Sequence, residues 1–142
     1  MRTGSQEISE YALECINEII DIDKNKDIAK RYKSYIKAFP ALIISEGFLL
    51  ALAFTISKSD FGNPSDSAEK IARRYIFIHV TKWLKERGII TVDDVGKKYK
   101  DVIKELSEKE VKSYRLATQE ALRVSDWLRR FAEGMIEGED ES

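Results

Sequence analysis

Cysteine, histidine and proline are nearly missing from this chain. Its single cysteine, Cys15, rules out an internal disulfide, so the fold does not depend on an oxidising compartment. A zinc site needs about four nitrogen, sulfur or oxygen ligands, and one His plus one Cys cannot supply them. No glycine-rich phosphate loop and no nucleophile elbow occur, which removes the commonest nucleotide-hydrolysing and esterase-type chemistries. A membrane-spanning helix needs about 20 apolar residues. The longest apolar stretch, Ala41 to Ser57, is shorter and carries Glu46. Met1 to Glu10 is polar, which predicts no secretory leader. Asn and Gln together number only five, while Lys, Glu and Ile abound, a leaning seen in proteins from hot habitats.

What is present is charge, and it is segregated. Hydrophobic residues make up 43% and charged residues 35%, the highly charged end of globular composition. Residues 1–23 hold one Arg against six acids, and residues 133–142 hold five acids and no base. The middle, 24–132, carries 23 bases against 14 acids. A basic body with acidic borders suits an anionic partner, whereas the bland alternative is that these charges only solvate helices. With 142 residues the chain reads as one domain, 1–142, with an acidic tail from about 136.

The apolar spacing is helical throughout, and neither strand-like alternation nor an internal repeat is found. From Gln6 to Ile20, Ile8, Tyr11, Ala12, Cys15, Ile16 and Ile19 form one face, and Asp21 to Asn25 breaks it. A second helix turns Ile28, Tyr32, Tyr35, Ile36 and Phe39 inward. Pro40 is a natural first residue of a new helix, because the N–H it lacks would have no partner there. Residues 41–57, apolar almost all round, then read as a central helix enclosed by its neighbours. Ser59 to Ser67 is the clearest loop and a candidate for disorder or proteolytic nicking. A long helix runs from about Asp66 to Glu86, ended by a left-handed cap at Gly88. Thr91 to Asp94 and Ser107 to Glu110 read as helix starts, the second in the S-x-x-E capping-box form. The last helix, from about Glu108 to Met135, has a seam that includes Val111, Ala117, Ala121, Ser125, Leu128 and Ala132. The expected fold is therefore all-α, a single compact bundle of about six helices around residues 41–57.

Few groups are placed for chemistry. His79 sits on an apolar face between Tyr75 and Trp83 and reads as a packed residue, and Cys15 reads as core filler. The run Asp21 to Ile28 imitates the opening of a calcium loop. It lacks the sharp-turn glycine, replaced by Lys26, and the closing bidentate acid, replaced by Tyr32. Neither a catalytic residue, a metal nor a cofactor is expected. The basic stripes are the stronger signal. Lys26, Lys30, Lys33 and Lys37 are spaced to share one solvent face, with Arg31 beside them. Lys70, Arg73 and Arg74 form a second cluster. Lys97, Lys98, Lys100 and Lys104 form a third, and Lys112, Arg115, Arg123 and Arg130 a fourth. Such cations neutralise phosphates and release counterions whatever the sequence.

Several stretches then carry a resemblance. They are Ala29-Lys30-Arg31-Tyr32, Phe39-Pro40-Ala41-Leu42-Ile43, and Glu46-Gly47 followed by the apolar run to Phe54 and by Ser57-Lys58. Further on come Trp83-Leu84, Tyr114-Arg115-x-x-Thr118-x-Glu120-Ala121-Leu122, and Trp127-Leu128-Arg129-Arg130-Phe131-Ala132. In order and spacing these resemble the small all-helical subunit of type III-B CRISPR RNA-targeting (Cmr) complexes, over roughly residues 7–135. Phe48 stands where that family often has Leu, and Glu46 where it often has Asn. The acidic tail beyond Gly134 is not explained by the resemblance. The resemblance implies a non-catalytic cytoplasmic scaffold that self-associates as an inner filament beside backbone and large subunits. It also implies contact with the guide and target RNA backbone, with neither a small-molecule substrate nor a membrane. Lys26, Lys30, Arg31, Lys33, Lys37, Lys58, Lys70, Arg73, Arg74 and Arg115 are the candidate RNA-binding residues. Rival readings are a small subunit of a type III-A or type I effector, or a helical regulator or adaptor that binds nucleic acid.

Overall fold

A computed structural model describes residues 3–23 and 27–138. These residues form six helices: α1 Gly4–Ile22, α2 Asp27–Glu46, α3 Phe48–Ser57, α4 Ala68–Glu86, α5 Tyr99–Ser107 and α6 Val111–Met135. The all-helical class agrees with the sequence. Among the described residues there is no helix long and apolar enough to cross a membrane.

The chain enters α1 through a capping box at Thr3. Its hydroxyl accepts from the Gln6 backbone at 3.1 Å, and the Gln6 side chain accepts from Thr3 N at 2.8 Å. The predicted face of α1 is the buried one. Asp23 then starts α2, its carboxylate accepting from Ile28 N at 3.1 Å and Ala29 N at 2.7 Å. The calcium-like run therefore uses one of its carboxylates to open a helix, while its Asn25 and Lys26 lie outside the described residues.

The next boundary corrects the sequence reading. Pro40 does not begin a helix but lies inside α2, which continues to Glu46. An interior proline removes one helical hydrogen bond. The buried side chains of Ile36, Phe39 and Ile43 on either side keep the helix in place across it. The break comes at Gly47, whose φ of 91° and ψ of 157° are essentially glycine-only. Gly47 N closes α2 on Ile43 O, and Gly47 O receives Ala51 N to open α3. Residues 41–57 are thus a corner between two helices, not one enclosed helix, and the corner leaves Ile44 and Leu50 largely exposed.

The interior is shared instead. α2 packs on α4 and α6, α1 packs on α6, and α3 leans on α4. The loop after α3 is held at its start: Asp60 is buried against Arg74, and Phe61 stacks on Tyr99 and meets Phe77 edge-on. Gly88, at φ 73°, ends α4 as expected, with Ile89 N reaching back to Leu84 O. Two expected helix starts fail. Thr91 is tied down in irregular chain by the Glu105 carboxylate, and α5 begins only at Tyr99. Ser107 belongs to the end of α5, donating to Lys104 O, so α6 starts at Val111 without a side-chain cap. Val111, expected in the buried seam, is exposed.

Candidate nucleic-acid interface

The first basic stripe divides in three dimensions. Lys26 is outside the described residues. Lys37 is exposed, Lys30 and Arg31 are half-buried, and Lys33 is almost fully buried. Lys33 Nζ donates to Ile136 O at 3.2 Å and Gly138 O at 2.8 Å, just past the end of α6. The solvent-face reading of Lys33 is therefore wrong. α2 is gripped by α6 on one side and α4 on the other, so its buried arc is wider than its apolar stripe. A lysine can serve there because its stem buries while its ammonium finds carbonyls. The negative pole at the end of α6 favours the charge as well. Lys30 follows the same path, its Cε lying 2.9 Å from where a Cβ on Gly138 would stand.

The second cluster is brought together with residues that periodicity assigns to the interior. Arg73 lies over the Tyr35 ring, its Cζ 3.8 Å from the centroid, and 5.3 Å from that of Phe54. Lys58 reaches the same Phe54 ring, with Nζ 5.9 Å from the centroid. Lys70, one turn before Arg73, is exposed. Arg74 differs: its Nε donates to Asp60 at 2.7 Å, which ties it to the loop. Beside Arg73 a groove of about 500 Å³ opens between α2, α3 and α4. Its floor is Phe39, Leu42 and Ile76, and one wall is the small residues Ala38, Ala41 and Ser45.

Arg115 stands apart, exposed on α6 at the rim of a second groove of about 670 Å³ between α3, α5 and α6. Its neighbour Tyr114 accepts from Leu49 N at 2.9 Å, which satisfies a free donor in the first turn of α3. Glu120, in the same motif, receives Trp83 Nε1 at 3.1 Å and sits 3.6 Å from both Arg87 and Arg123. These motif residues thus hold helices together.

The acids also gather. Glu7, Glu10 and Glu14 of α1 line one recess with Glu86 at the end of α4. Arg73 and Glu86 are on the same helix, roughly 20 Å apart along its axis.

The buried polar centre is built differently. His79 Nδ1 lies 2.7 Å from the Tyr32 hydroxyl, and the His79 carbonyl accepts from Tyr11. Burial lowers the His79 pKa and raises that of Tyr32, so a neutral imidazole accepts from the phenol at Nδ1. Burial likewise pushes the Cys15 thiol up to about 12. A sequence model of the family described as CRISPR-associated protein (Cas_Cmr5) matches residues 4–135, nearly the whole chain. The chain therefore belongs to that family, the small all-helical subunit of type III-B CRISPR complexes, which associates with the other Cmr subunits.

Proposed function

We propose that this subunit is a non-catalytic cytoplasmic scaffold of the type III-B complex in antiviral defence. In this reading it stacks with further copies as an inner filament and holds the guide–target RNA backbone by charge. The observation that carries it is the meeting of Lys58 and Arg73 at the Phe54 ring, with the exposed Lys70 one turn before Arg73 on α4. Glu7, Glu10 and Glu14 of α1 and Glu86 collect at the far end of α4, where they outnumber the single Arg87 of the same recess. A basic end holds phosphates, and a molecule with basic and acidic ends also stacks head to tail. Sequence is then read by base pairing, and the protein supplies charge and shape.

The test uses a complex assembled with its guide RNA. Lys58→Glu with Lys70→Glu should weaken target binding about equally for every guide sequence, since phosphate contacts carry no base information. For a single-stranded partner, removing one lysine–phosphate pair should lower the log-affinity against log-salt slope by about 0.7. Cleavage positions should stay where they are, because other subunits set them. An unchanged salt slope in an intact complex would remove this face from the RNA path.

A further inference from the structure

The geometry points to the groove beside Arg73 as a nucleotide pocket that receives one unstacked base of single-stranded RNA, with flanking phosphates on Lys58 and Lys70. This rests on the RNA-backbone reading above and adds to it a site for a base. Four observations converge. The groove, at about 500 Å³, has the size of a small-molecule site, and among the described residues none that lines it is acidic. The small wall of Ala38, Ala41 and Ser45 leaves a slot in which a planar group can lie against Phe54. Phe54 is 39% exposed, unusual for a large aromatic ring on the most apolar helix. The Arg73 guanidinium lies over Tyr35 at 3.8 Å, yet its enclosed Nε–H finds no acceptor among the described residues. A small shift of the Arg73 side chain would bring that donor to a base carbonyl or a phosphate oxygen in the groove.

An apolar side chain flanked by carboxylates, such as Leu13 of a second copy, would also meet a basic apolar groove. It has no use for an aromatic face and a guanidinium face in one slot. A base has, because it can stack on the exposed side of Phe54 and turn its polar edge to the guanidinium. The base therefore fits better.

Target RNAs carrying 5-iodouridine at successive positions, irradiated in the assembled complex, should crosslink to Phe54. Phe54→Ala should abolish the crosslink and weaken binding about fivefold or more, the lower end for losing a stacked base. Its log-salt slope should stay unchanged, because every phosphate keeps its cation. Ala41→Trp, which fills the slot and leaves the aromatic and basic side chains in place, should do the same while α-helical content is retained. If the Lys58 and Lys70 reversals weaken binding but Phe54→Ala and Ala41→Trp do not, the pocket is wrong and the backbone reading stands. If none of them affects RNA, both are wrong. If Ala41→Trp instead releases the subunit from an otherwise intact complex, the groove is a protein-docking surface, and the pocket is again overturned.

Discussion

His79 Nε2 lies 2.6 Å from Glu18 Oε1, which joins a buried ring on α4 to a half-exposed carboxylate on α1. The N–H of His79 holds the Glu18 carboxyl below its ordinary range. Burial outweighs that carboxylate and lowers His79 itself, with Lys82 nearby acting in the same direction. The imidazole is therefore neutral, a donor to Glu18 and an acceptor from Tyr32.

Acid should then weaken the fold. Because His79 in the bundle titrates below its ordinary value of 6.5, the unfolded chain takes up its proton first as pH falls. The stability this site contributes is complete above that value and is lost on acidification below it. Glu18, also lowered, adds a loss of the same sign below its ordinary value of 4.5. Urea unfolding of wild type and His79→Asn between pH 7.5 and 5 should show the wild-type advantage shrinking toward acid. A constant difference would mean that His79 titrates alike in both states.

His79→Ala should remove the partner of a buried phenol and leave a cavity. We expect a loss of about 2–4 kcal/mol in chemical denaturation. Target RNA cleavage by complexes that have incorporated the variant should be unchanged. Abolished cleavage in a normally assembled complex would give His79 a part in the chemistry.

Gly47→Ala should cost about 1–3 kcal/mol, the range for a non-glycine residue forced into such a backbone state. No heavy atom lies within 4 Å of the added Cβ, so strain rather than a clash is what the measurement reads. Pro40→Ala restores a donor inside α2 and should not destabilise. Thermal midpoints of the two variants compared with wild type decide which residue sets the boundary.

Lys33→Glu should be severely destabilising, by about 3 kcal/mol or more, because it sets a carboxylate against carbonyl oxygens in a buried site. Lys37→Glu, on the exposed side of the same helix, should change stability by about 0.5 kcal/mol or less. Equal effects would return Lys33 to the surface.

Much of the fold is legible in the residues. The face of α1 is buried at every position its spacing predicts, Leu52 is fully buried, and Gly88 caps α4. These are local signals, in which period and side-chain type decide without help. Pro40 and Lys33 defeat a local reading because distant partners decide them, and Ser107 because the burial of its neighbour does. Helices α4 and α6 hold the path of α2 through Pro40. Leu106, buried at the end of α5, keeps Ser107 in that helix, and the end of α6 draws Lys33 inward. The groove is hidden for a related reason. Periodicity marks Tyr35 and Phe54 as apolar positions, but whether a neighbour covers such a face depends on where the chain turns. Here it turns at Gly47.

The bond from Lys33 to Gly138 spans 105 positions of sequence. Contacts that close so long a stretch of chain raise the contact order of the fold and slow its formation. The corner of α2 and α3, by contrast, joins neighbours in the chain and needs little search. The start of α2 and the exit from α6, at opposite ends of the sequence, therefore depend on each other: loosening either exposes the Lys33 ammonium to water.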